Sequence, residues 1–291
     1  MKSKAMKTAP LLTAAMALFF VEAAPVCAAS SAPRGVVPVM DYELGLKRID
    51  VEIQGEKASV ILDTGAGITG IGTKLAEKIG CKPFGQLSGV RMTGEVLRAP
   101  WCGPAVIRTG GVESRDTLMY FDIASLLPPD WPQVDGIVSL NAFSSGPITL
   151  DLGGNQLILE SDASLAERVA GHDSSPLHLQ RDVGGYSLSV FLEIAAEPQP
   201  LRVLLDSGSA GGNALAPHAF TQLGLDVPEL ASETRRGETA NVDLTVAGVP
   251  MTALEVHAQD MIYDGNFGAS FLSQNVVTLD FESGRIWVVR R

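Results

Sequence analysis

The sequence predicts a mostly β protein built from two homologous, barrel-like lobes with short helices. Three observations predict it. Short apolar runs bounded by Gly, Pro, Asn and Asp recur along the chain, which carries 30 glycines and 17 prolines in 291 residues. Asp135-Gly136 and Thr149-Leu150-Asp151 return as Asp264-Gly265 and Thr278-Leu279-Asp280, at one ungapped offset of 129. Upstream, Val60-Ile61-Leu62-Asp63-Thr64-Gly65 returns as Val203-Leu204-Leu205-Asp206-Ser207-Gly208, at an offset of 143. A solenoid needs several shorter units, so a two-copy repeat of this length means two lobes, residues 30–165 and 166–291.

The elements follow in chain order. Residues 1–29 read as a signal peptide: Lys2, Lys4 and Lys7 precede an apolar run over residues 11–21, and small residues then gather toward Ala28 and Ala29, where cleavage is expected. The run is too short for a bilayer, which takes about 20 residues, so no stable membrane anchor is expected after cleavage. The mature protein is expected in the periplasm or secreted. Residues 49–53 and 188–194 alternate apolar and polar side chains at the period of a half-buried strand. Each leads to one of the aliphatic triplets. Helices are expected over residues 74–79 and 217–223, stopped by Gly80 and Gly224, with Pro217 suited to a first turn. Polar β-hairpins are expected near residues 85–98 and 232–242. The lobe boundary is expected within the polar stretch 161–176.

Composition removes several function classes. Apolar residues make up 46% and charged residues 19%, enough for a buried core and against a disordered chain. The formal net charge is −11, and loss of the three leader lysines makes the mature protein more acidic still. A nucleic-acid partner is disfavoured by that charge. The four histidines, His172, His178, His218 and His257, are scattered without metal-ligand spacing, so no metal and no cofactor is expected. No Gly-x-Ser-x-Gly elbow is present, which disfavours a Ser-His-Asp hydrolase. Asp151 and Asp280 end repeated strands, where a turn role is the expected one. Cys81 and Cys102 lie outside any CxxC arrangement and leave two readings open: a disulfide, or two buried thiols.

The chemistry rests on the repeated Asp motif. An aliphatic triplet places the strand in the core, so the Asp at its end emerges from a low-dielectric wall. Gly two positions later lets the chain turn tightly or lie close to another backbone. The hydroxyl residue between can hold the loop by a hydrogen bond. Pseudo-twofold packing of the lobes would bring Asp63 and Asp206 face to face. Two carboxylates that close cannot both ionise easily and share one proton. The ionised member can then take a proton from water while the protonated member polarises a carbonyl.

On Leu62-Asp63-Thr64-Gly65-Ala66, Leu205-Asp206-Ser207-Gly208-Ser209 and the later Asp-Gly segments, the sequence resembles the retropepsin-like and pepsin-like aspartic proteases. The resemblance is to the bacterial type with both halves in one chain, and it covers roughly residues 35–291. It implies an acid-protease fold with Asp63 and Asp206 as catalytic residues. It also implies that Thr64, Gly65, Ser207 and Gly208 support the active-site loops, the two hydroxyls by bonding across the lobes. The family's apolar-apolar-Gly element matches Asn266-Phe267-Gly268 and, in the first lobe, Ile137-Val138-Ser139. The chain departs from the pattern at Ser139, where glycine is usual, which predicts altered packing behind the first loop. A flap is expected over residues 86–96, with Gly89 and Gly94 at a glycine-rich tip and without the tyrosine of pepsin-type flaps.

The resemblance implies an aspartic-type endopeptidase acting on a peptide or protein substrate in the cleft between lobes. Both aspartates come from one chain, so a monomer should suffice. The alternative is a catalytically inactive secreted protein of the same fold that binds peptides.

Overall fold

A similar strand-loop unit forms the centre of each lobe. The computed structural model describes residues 31–291, so the signal peptide expected at residues 1–29 lies outside the described residues. In the first lobe, Lys47–Ile53 turns its alternate residues Ile49, Val51 and Ile53 into the core. It pairs antiparallel with Glu56–Leu62, whose last three residues, Val60, Ile61 and Leu62, are all buried. Burial of each such side chain contributes about 1.5–3 kcal/mol. Glu56–Leu62 then pairs parallel with the short strand Gly136–Val138. The second lobe repeats the arrangement: Ser189–Ile194 pairs with Leu201–Leu205, which runs parallel to Gly265–Phe267. The Asp motif follows directly on the buried end of each central strand.

These units belong to an eight-stranded sheet in the first lobe and a seven-stranded sheet in the second. Extra pairings of Lys47–Ile53 with Val96–Thr109, and of Ser189–Ile194 with Arg236–Val246, curl each sheet toward closure. The third sheet joins the lobes. Its six strands run in the order Gly35–Pro38, Gln156–Leu159, Ile148–Asp151, Asn275–Asp280, Arg285–Arg290, Ser175–Pro176. At its centre Thr149 pairs with Thr278, and their hydroxyls lie 2.9 Å apart. These two residues are related by the 129-residue repeat, so each lobe meets its own copy, as self-complementary contacts do across a twofold axis.

Helices Thr73–Lys78 and Pro217–Gln222 occupy equivalent places, and Gly80 and Gly224 follow them at φ 69 and 70. The polar stretch expected at the lobe boundary contains another helix, Asp162–Arg168, and the division at 165/166 falls inside it. Its capping box is reciprocal: Ser164 N donates to Ser161 Oγ, and Ser161 N to Ser164 Oγ. Serines that interrupt a strand pattern therefore start a helix here. The second expected hairpin is also corrected. Residues 236–246 form one long strand, and the hairpin turns later, at Ala247 and Gly248, to pair with Val249–Gln259. Polar side chains on the outer face of that strand imitate a turn in the sequence.

Cys81 and Cys102 form a disulfide, with Cα atoms 5.4 Å apart. The bond ties the end of helix Thr73–Lys78 to strand Val96–Thr109, the second arm of the first-lobe hairpin. In the chain-entropy account a loop of 21 residues confers about 3 kcal/mol. A Cys81→Ser/Cys102→Ser variant should lose stability on that scale in urea unfolding. An unchanged midpoint would show that the hairpin base is held without it.

Candidate active site

The two Asp motifs meet between the lobes in near-symmetric fashion. Asp63 N donates to Val138 O at 3.0 Å and Asp206 N to Phe267 O at 2.9 Å, so each aspartate is hung on the parallel strand beside it. Beneath them the hydroxyls interlock. Thr64 N donates to Ser207 Oγ (3.0 Å), and Ser207 N to Thr64 Oγ1 (2.8 Å). Thr64 Oγ1 donates to Leu205 O and Ser207 Oγ to Leu62 O, both at 2.6 Å. Thr64 and Ser207 are fully buried, and each hydroxyl satisfies one backbone donor and one backbone carbonyl of the opposite lobe. That bonding fixes the distance between the two loops.

The glycines are required by proximity. A Cβ on Gly208 would stand 2.3 Å from Asp63 Cγ, and one on Gly65 2.4 Å from Asp206 Cγ. Each glycine therefore lets one loop pass under the opposing carboxylate. Gly65 N and Ala66 N donate to Asp63 Oδ1 at 3.0 and 2.8 Å, and Gly208 N donates to Asp206 Oδ1 at 3.0 Å.

The carboxyl groups of Asp63 and Asp206 face each other, each lying against the glycine of the opposing loop and close enough to act on the other's ionisation. Burial, and then the charge of Asp206, push Asp63 up to about 8. Asp206 is raised by burial too, against the pull of its hydrogen-bond donors, the Asn266 amide first and Gly208 N among them. Two buried carboxyls this close resist ionising together, which favours a state in which they share one proton. Such a pair contains a base and an acid side by side.

The contacts of two nearby residues were not legible in the sequence. Asn266 lies at 1% exposure on strand Gly265–Phe267, with Nδ2 2.8 Å from Asp206 Oδ2 and 2.9 Å from Met92 Sδ. Met92 is in the turn of the hairpin formed by Phe84–Val90 and Val96–Thr109, and its carbonyl accepts from Ile262 N at 2.8 Å. The hairpin thus reaches across the cleft and closes on the second lobe, in the place expected of a flap. Gly94 sits in its turn at φ 85, where glycine is favoured. Gly89 is placed differently from expectation: it lies in the strand, paired with Leu97, with open space around its α-carbon. Its position is set by strand pairing and not by a turn.

Ser139 alters the packing behind the first loop, as its departure from glycine implies. In the second lobe the equivalent Gly268 fits tightly, with a Cβ there only 2.6 Å from Ser209 O. In the first lobe a buried polar network fills that region. Ser139 N donates to Thr69 Oγ1, Thr69 Oγ1 donates to Asp116 Oδ2, and Asn141 Nδ2 donates to Asp116 Oδ1. Burial raises the Asp116 pKa, against the pull of these donors. Asp151 and Asp280 have turn roles: they accept from Gly154 N and from Glu282 N and Ser283 N. Among the described residues no group of three or more His, Cys, Asp or Glu side chains is arranged to hold a metal ion.

With this geometry in hand, the chain can be set beside known proteins. No protein-family model matches the sequence, and no curated protein matches it. Solved structures do match. Basic 7S globulin from soybean aligns over 87% of this chain and 94% of its own, with a TM-score of 0.55 and 12% identity. Conglutin gamma, a basic 7S globulin from lupine seeds, aligns over the same shares with a TM-score of 0.53 and 12% identity. The fold is pepsin-like and bilobal. At this identity the likeness is one of fold, and the pepsin-like fold by itself leaves activity to be argued from the site.

Proposed function

We propose that this protein is an aspartic-type endopeptidase of the retropepsin-like and pepsin-like group, acting as a monomer on peptides or proteins outside the cytoplasm. The observation that carries the reading is the facing carboxyl pair of Asp63 and Asp206, suspended by matched, interlocked loops. Water bound between the carboxyls would lose a proton to the ionised member as its oxygen bonds the peptide carbonyl carbon. The protonated member would give its proton to the carbonyl oxygen, leaving a neutral diol. The pair then passes a proton to the departing amine as the C–N bond breaks. An extended peptide would lie between the lobes, pairing strand-like beneath the hairpin once it lifts from Asn266 and Ile262. The disulfide fits an oxidising compartment, in keeping with export.

A second reading has an observation of its own. The structural neighbours named above are basic 7S globulins, a name that carries no catalytic activity. On that reading the cleft binds peptides without turning them over. Cleavage of a diverse peptide library across pH separates the two. The endopeptidase gives a bell-shaped rate profile, with its falling limb above the ordinary carboxylate range because Asp63 is raised. If peptides bind and every one stays intact at all pH values, the protein is a binding module.

A further inference from the structure

The two halves of the carboxyl pair are not equivalent: Asp63 Oδ1 accepts from Gly65 N and Ala66 N, whereas Asp206 accepts from Gly208 N and, on its second oxygen, from a side-chain amide. Parallel pairing sets Asn266 beside Leu204 in the second lobe, and the same register sets Ile137 beside Ile61 in the first. Asp206 therefore has a side-chain amide on its second oxygen, at 2.8 Å, where the first lobe supplies an aliphatic residue. Asn266 Nδ2 donates to Asp206 Oδ2, so that oxygen is an acceptor, as both oxygens of an ionised carboxylate are. The amide's other hydrogen goes to Met92 Sδ in the hairpin turn. Asn266 Oδ1 is left buried with no hydrogen-bond partner among the described residues. Forgoing a partner for a buried carbonyl is costly, and the cost is met only by what the NH2 group holds.

We propose that Asn266 is a positioning residue that keeps Asp206 as the ionised, water-activating member and so leaves the shared proton on Asp63. The inference rests on reading the pair as a hydrolytic dyad. It goes beyond that reading by fixing which aspartate plays which part. The other groups around Asp206 agree. The groups that draw it downward are neutral donors and the protonated Asp63, with Asn266 the foremost. The remaining titratable neighbour, Tyr263, has its own phenol raised by burial and by the charges of Asp182 and Asp206, so it stays neutral. In cleavage, Asp206 would take the proton from water and Asp63 would deliver its proton to the carbonyl oxygen. Because the same amide touches Met92, the assignment is made with the hairpin closed.

The test follows the carboxyl carbons of 13C-aspartate-labelled full-length protein by NMR across pH, in wild type, Asn266→Leu and Asn266→Ser. In wild type Asp206 should be the first of the two paired carboxyls to ionise, its signal assigned by its loss in Asp206→Asn. In Asn266→Leu that step should move up by roughly one unit, a tenfold change in proton affinity. The rising limb of any cleavage profile should move with it. Near-UV circular dichroism checks that the fold is native. Should Asn266→Leu fail to fold, Asn266→Ser, whose side chain is too short to reach Asp206, should show the same upward shift. A native-like variant with both ionisation steps unchanged would overturn the assignment. The titration needs no turnover, so a protein that cleaves nothing defeats the hydrolase reading while the role of Asn266 is still decided.

Discussion

Asp63→Asn should abolish peptide cleavage, by roughly 10³-fold or more, and at the same time raise thermal stability at neutral and alkaline pH. The two effects have one cause. The carboxyl of Asp63 is raised to about 8 because burial and the neighbouring Asp206 both oppose its ionisation. A carboxyl whose folded-state pKa lies above its unfolded value stabilises the fold most at pH below the unfolded value. That contribution is lost progressively as pH rises through the folded value. Wild-type stability should therefore decline from about pH 4 to about pH 8 on account of this group. Asparagine has nearly the same shape and cannot ionise, so the decline disappears. We expect a gain of about 1–3 kcal/mol at pH 8, less than the full shift implies because the pair shares its proton. The check is a set of melting curves from pH 4 to 9 beside the cleavage assay. If Asp63→Asn were no more stable than wild type at pH 8, the two carboxyls would not be in the contact described here.

Ser207→Ala should be the most damaging small substitution in the interior. The hydroxyl accepts from Thr64 N and donates to Leu62 O, and its residue is fully buried. Removing it strands a backbone donor and a backbone carbonyl where water does not reach. Each orphaned group costs about 1–3 kcal/mol, so a loss of about 2–5 kcal/mol is expected. For a protein of this size that lowers the melting temperature by roughly 5–15 °C. Activity should fall as well, since the lobes are locked together at this point. Ser207→Thr keeps the hydroxyl, matches the residue found at Thr64, and should retain most of the stability. Ser232→Ala, at an exposed position, is the control. Equal losses at positions 207 and 232 would mean that the interlocked hydroxyls contribute nothing.

Much of this arrangement was legible in the sequence because it is local. The triplets ending at Leu62 and Leu205 announce buried strands by hydrophobicity, and Asp-Thr-Gly and Asp-Ser-Gly announce tight loops by turn chemistry. The repeat then brings the loops into correspondence without any structure. Helix 162–168 was missed because serines read as loop when their partners are unknown; only the reciprocal bonds of Ser161 and Ser164 make them a cap. The hairpin expected at residues 232–242 failed for the opposite reason. Polar residues on the solvent face of a long strand look the same as a turn when the pairing partner, Val249–Gln259, is out of view.

Asn266 shows the limit most clearly. In the chain it falls in Asn266-Phe267-Gly268, the match to the apolar-apolar-Gly element, as a polar residue at an apolar position, and nothing local says what its amide meets. It gains meaning only when Gly265–Phe267 pairs parallel with Leu201–Leu205 and sets the amide against Asp206. Met92 likewise becomes part of the site only when its hairpin crosses to Ile262. By itself the sequence determined the two lobes, the paired aspartates and the glycines beneath them, because each follows from hydrophobic period, turn geometry and repetition within a few residues. The tertiary structure alone decided the shared six-stranded sheet, the closed hairpin and the inequality of the two carboxyls. Those depend on contacts between residues far apart in the chain, and no local preference records which distant side chain will arrive.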